Sequence, residues 1–116
     1  MADQSAEMIE DDAITRGTGN VFADLGYLDA EERQTKLRLA YAINDVIARR
    51  RLTQAVAAAK LGVNQPKVSA LANYKLDGFS VERLMVFLTA LDQDVEIVIR
   101  KKKRGRAAGR ISVVAA

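Results

Sequence analysis

The chain has 116 residues, 49% of them hydrophobic and 5% aromatic, with a single proline, a make-up that suits one small, mainly helical domain with a modest core and tails. It contains no cysteine and no histidine, which excludes disulfides, Cys/His zinc sites, thiol nucleophiles and a Ser-His-Asp triad, so no enzyme activity, metal or cofactor is expected. The net charge of +3 conceals opposed ends: Asp3, Glu7, Glu10, Asp11 and Asp12 come before any base, whereas Arg100, Lys101, Lys102, Lys103, Arg104, Arg106 and Arg110 run without an acid.

Residues 1–19 read as a flexible acidic arm that ends in Arg16-Gly17-Thr18-Gly19. Its start lacks the basic then apolar pattern of a signal peptide, and no apolar run in the chain reaches the ~20 residues of a membrane span. A cytoplasmic protein with no membrane partner is expected. Residues 20–100 read as the folded domain. Asn20 to Gly26 predicts a short helix with Asn20 as cap and Gly26 as stop. Phe22, Leu25 and Leu28 beside it either dock on the domain's own helices or meet a partner chain. Asp29-Ala30-Glu31-Glu32 has the form of a capping box and predicts the start of a long helix. Leu37, Leu39, Ala40, Tyr41, Ile43, Val46 and Ile47 supply its apolar stripe. Arg49-Arg50-Arg51 closes it, either as charge suited to a helix C-terminus or as a contact for phosphate.

Thr53 to Leu71 reads as two short helices joined by a tight turn. Thr53 can cap the first through its hydroxyl, and alanines dominate that helix, allowing a second one to approach closely. Gly62 stands where the first helix must end, because glycine takes the left-handed conformation without steric cost. Asn64 caps the second helix, and Pro66 falls in its first turn, where a missing N–H costs little. Val56, Leu61, Val63, Val68 and Leu71 form the apolar side, which leaves Gln65, Lys67 and Ser69 facing outward.

In Leu52-Thr53-Gln54, Ala58, Leu61-Gly62-Val63, Gln65, Val68-Ser69-Ala70-Leu71 and Asn73, the chain resembles the lambda-repressor and Cro branch of helix-turn-helix proteins, the XRE family. The resemblance spans roughly Lys36 to Leu91 and implies a lambda-repressor-like five-helix DNA-binding domain. It also implies that Gln65 reads a base and that Gln54 grips a phosphate. A glutamine amide donates and accepts together, which matches adenine N7 and N6. Pro66, Lys67 and Ser69 join Gln65 on the reading helix, although Pro66 and Lys67 replace small residues of that repressor. Arg49, Arg51, Asn73 and Lys75 are candidates for phosphate contact.

Beyond the motif, Ala72 to Phe79 reads as a loop with Asp77-Gly78 as its turn. Ser80 caps a further helix with Val81, Leu84, Leu88 and Leu91 in its core stripe. Asp94 to Arg100 changes to β alternation, with Val95, Ile97, Val98 and Ile99 as the strand. A lone strand needs a partner for its backbone groups, and within the chain only Ile111-Ser112-Val113-Val114 offers a second candidate. The strand is therefore expected to pair with that of a second copy across a homodimer, a strand from another protein being the competitor. Residues 101–116 form a basic tail that either adds phosphate contacts or protects a sheet edge.

The function expected from these features is a sequence-specific repressor binding double-stranded DNA. The chain is similar to HigA-type antitoxins in carrying such a domain alone, which implies a RelE-like ribonuclease toxin as partner. A protein-interaction module that uses Phe22, Leu25 and the final strand is the alternative.

Overall fold

The structure, a computed structural model, describes residues 21–115, with side chains from Asp29 onward. The chain divides into two compact units, Met1–Glu31 and Glu32–Ala116. The acidic arm, Asn20 and the side chains of Phe22, Leu25 and Leu28 lie outside the described residues. Among those described there are four helices: α1 Val21–Arg49, α2 Gln54–Leu61, α3 Gln65–Ala72 and α4 Val81–Ala90.

The sequence predicts five helices, and the difference lies in α1. The expected short helix and long helix are one continuous helix, with Gly26 and Asp29 inside it. A glycine within a helix costs only about 1 kcal/mol relative to alanine. The surrounding Ala23, Leu25, Ala30, Glu31 and Glu32 are residues that tolerate or favour helix, and no proline interrupts them. The expected capping box at Asp29 is thus a stretch of exposed helix, in which Glu32 faces Lys36 at 3.8 Å one turn on.

Three N-caps match the expectation. Thr53 Oγ1 accepts from the Val56 N–H at 3.1 Å, Asn64 Oδ1 from the Lys67 N–H at 3.0 Å, and Ser80 Oγ from the Arg83 N–H at 3.0 Å. The helix ends share a device of which the sequence discloses only one instance. Each helix closes with a residue in the left-handed conformation: Arg51 at φ 55, Gly62 at φ 71, Tyr74 at φ 58 and Asp92 at φ 65. The N–H of the next residue then reaches back into the last turn, Leu52 to Ile47, Val63 to Ala58, Lys75 to Ala70 and Gln93 to Leu88. This is the Schellman arrangement, which satisfies carbonyls that the helix leaves open.

The main core gathers Leu39, Ala40, Ile43 and Val46 of α1 with Leu61, Leu71, Leu76, Phe79, Leu84, Phe87, Leu88 and Leu91. Phe79 and Phe87 meet edge to face at 5.9 Å. Leu37 and Tyr41, expected in the α1 stripe, lie on its outer side, Tyr41 being 67% exposed. Both are about half a turn from Leu39 and Ile43, too far round to follow the buried row. Val56 is likewise 44% exposed, and Ala57 takes the buried place.

Residues 94–100 carry no strand: no hydrogen-bonded ladder joins them to 111–114 or to any other described segment. Val95 and Val113 rest against the main core, and Arg38 Nη1 donates to the Val113 carbonyl at 3.4 Å. Ile97, Val98 and Ile99 point to solvent, at 75%, 60% and 93% exposed. A strand exists only when its backbone groups have a neighbour to bond, and the described residues offer these none.

Candidate nucleic-acid interface

Small residues decide how closely α2 and α3 approach. Ala57, Ala58 and Val68 form a separate buried cluster at their crossing, with Ile47, Leu52 and Val63 packed around it. Between the helices, Gly62 turns the chain at φ 71 and ψ 33, and its N–H bonds to the Ala58 carbonyl. Asn64 then restarts the helix, with Gln65 and Pro66 directly after it. Burying Val68 and Leu71 on one side of α3 leaves Gln65, Pro66 and Lys67 exposed and Ser69 half-buried on the other.

Gln54 and Gln65 are the first residues of α2 and α3, both exposed. Neither side chain makes a hydrogen bond among the described residues, so each keeps a free donor and a free acceptor. Lys67 differs from its neighbours. Its Nζ donates to the Gly78 carbonyl at 3.4 Å and lies 4.7 Å from the centre of the Phe79 ring. Asn73 is exposed but also engaged, its Nδ2 donating at 2.9 Å to the Ser69 carbonyl that already accepts the Asn73 N–H. Lys75 is exposed with no partner among the described residues.

At the end of α1, Arg49 Nε meets Asp45 Oδ2 at 3.0 Å. Arg50 Nη1 meets Asp92 Oδ2 at 3.2 Å, linking the ends of α1 and α4. Both pairs are largely exposed and contribute little to stability. Arg51 is exposed and unpaired among the described residues. In the basic tail, Arg106 is half-buried, while Arg100 to Arg104 and Arg110 are exposed.

Two positioning contacts have no clear mark in the sequence. Asn44 Nδ2 donates to the Leu71 carbonyl at 3.1 Å, tying the C-terminal part of α1 to the last turn of α3. An asparagine inside the apolar stripe of α1 is the one signal that points to it. Phe79, which the sequence places in a loop, is 4% exposed and supplies the ring beneath Lys67. Among the described residues no cluster of acids suits a metal ion, and no helix is long and apolar enough to cross a membrane.

Two capped short helices crossing on alanines, with a glycine turn between them and a polar outer face on the second, define a helix-turn-helix domain. The comparisons place the chain within that class. A family model described as a helix-turn-helix domain matches residues 21–100. A solved structure named as an XRE family transcriptional regulator shares 82% identity, with 76% of this chain and 99% of that chain covered and a TM-score of 0.72. The chain belongs to the XRE-type helix-turn-helix family. No curated protein matches it.

Proposed function

We propose that the protein is a sequence-specific DNA-binding transcriptional repressor working as a homodimer in the cytoplasm. The observation that carries this reading is the pair of exposed, unbonded glutamines, Gln54 and Gln65, at the heads of α2 and α3. Set in the major groove, Gln65 would offer its amide to an adenine edge, with Pro66 and Ser69 beside it. Gln54, Arg49, Arg51, Asn73 and Lys75 would position the domain on phosphates, adding affinity without sequence choice. Arg49 would have to share its guanidinium with Asp45, and Asn73 has its amide N–H already engaged.

Dimerisation would fall to Val95, Ile97, Val98 and Ile99. The exposure of the last three supports this, because apolar side chains in a row invite cover. A two-fold pair would present two α3 helices to half-sites about one helical turn apart. As one member of a toxin–antitoxin pair, the dimer would also hold a RelE-like toxin and repress its own operon. The similarity to HigA-type antitoxins supports that narrower role.

Fluorescence titration against the DNA upstream of its own gene tests the reading. Binding should reach about 10⁻⁸ M or tighter at physiological salt and exceed random DNA by ~10³-fold or more. Gln65→Ala should cost about 1–3 kcal/mol at one base pair of each half-site and leave random-DNA binding intact. Equal binding of promoter and random DNA, with Gln65→Ala silent, would favour a protein-interaction module instead.

A further inference from the structure

We propose that Lys67, although it lies on the reading helix, is a positioning residue that braces the loop after that helix and contacts neither base nor phosphate. This rests on the DNA-binding reading above. Lys67 occupies the first turn of α3, with its backbone N–H held by the Asn64 cap. That turn contains no acid, and a cation at a helix N-terminus is opposed by the helix dipole. The side chain instead finds its partners outside the helix. Its Nζ bonds to the Gly78 carbonyl at 3.4 Å and stands over the Phe79 ring at 4.7 Å, so two independent acceptors hold one ammonium group.

The other side of this contact is rigid. Phe79 is buried and braced edge to face by Phe87. Gly78 leaves the room that the ammonium uses, because a Cβ there would lie 3.2 Å from Nζ. Lys67 therefore bridges the first turn of α3 and the far end of the loop, with Asn73, Tyr74 and Lys75 in the span between. In the bound state Asn73 and Lys75 still reach their phosphates without the brace, but the loop must first be ordered. Affinity falls while the number of neutralised phosphates stays the same.

The test uses the full chain and the promoter duplex, with random DNA as reference. Lys67→Ala should weaken both by about two- to fivefold. It should leave the base preference at every half-site position and the slope of log K against log salt unchanged. Lys67→Arg, which keeps a cation over the ring, should restore affinity, and Lys67→Ala should cost less affinity in a Phe79→Leu background than in the wild type, because only the bond to the Gly78 carbonyl then remains to be lost. In the free protein, the Lys67 ε-protons should show an upfield ring-current shift that disappears in Phe79→Leu. A salt slope reduced by about 0.9 would make Lys67 a phosphate contact and overturn the proposal. A preference relaxed at one base pair would make it a base reader, with the same result. Wild-type protein that ignores the promoter would remove the DNA-binding reading alone, and absence of the ring-current shift would remove the brace itself.

Discussion

Gly62→Ala isolates the backbone cost of the turn between α2 and α3. A Cβ at this position would meet nothing within 4 Å, so no clash contributes. What remains is φ 71 and ψ 33, a left-handed conformation in which an L-residue crowds its own carbonyl. The cost is about 1–2 kcal/mol, which lowers the melting temperature of a domain this size by ~4–8 °C for each kcal/mol. Urea unfolding monitored by far-UV circular dichroism measures it directly. Gly109→Ala is the control, since a Cβ there also meets nothing within 4 Å but φ lies outside the left-handed range; its stability should stay within about 0.5 kcal/mol of wild type. Arg51→Gly reverses the experiment at φ 55 on an exposed residue. Relief of strain exceeds the entropy that glycine adds to the unfolded chain, for a gain of up to about 1 kcal/mol. Identical midpoints for Gly62→Ala and wild type, or an equal loss in Gly109→Ala, would refute the reasoning.

Asn44→Ala should lower stability by about 0.5–1.5 kcal/mol, because the half-buried bond to the Leu71 carbonyl is lost while backbone N–H groups still serve that carbonyl; thermal unfolding reads the change. Ile97→Asp with Ile99→Asp should convert the proposed homodimer to monomer in sedimentation at fixed concentration and leave the melting of the monomer unchanged. Both side chains are largely solvent-exposed in the single chain, so the substitutions remove few contacts within it, and a loss of the proposed dimer reads the contacts between copies.

The helix-turn-helix itself was legible because its determinants act within a few residues. A hydroxyl or amide at Thr53, Asn64 and Ser80 reaches an N–H three positions on, and Gly62 supplies a conformation that its own missing side chain permits. Locality also explains where the sequence misled. Gly26 and Asp29 carry stop and start signals worth about 1 kcal/mol each, and the strong helix formers around them outweigh both, so α1 runs unbroken from Val21 to Arg49. The outward row of Gln65 and Ser69 follows from helical spacing alone, and so do the buried places of Val68 and Leu71.

The same spacing could not tell that Lys67 would turn toward Phe79, because that depends on the loop returning beside α3 and on Phe87 holding the ring. Nor could it single out Arg51, Tyr74 and Asp92 as left-handed residues, since arginine and tyrosine have no leaning to that conformation and aspartate a far weaker one than glycine. There the packing of α1, α3 and α4 fixes where each helix must stop, and the residue at that point accepts the strain. Local hydrogen bonds and side-chain size thus wrote the helices and their polar face into the chain, while tertiary packing decided that Lys67 on that face is held against the returning loop and Gln65 beside it is not.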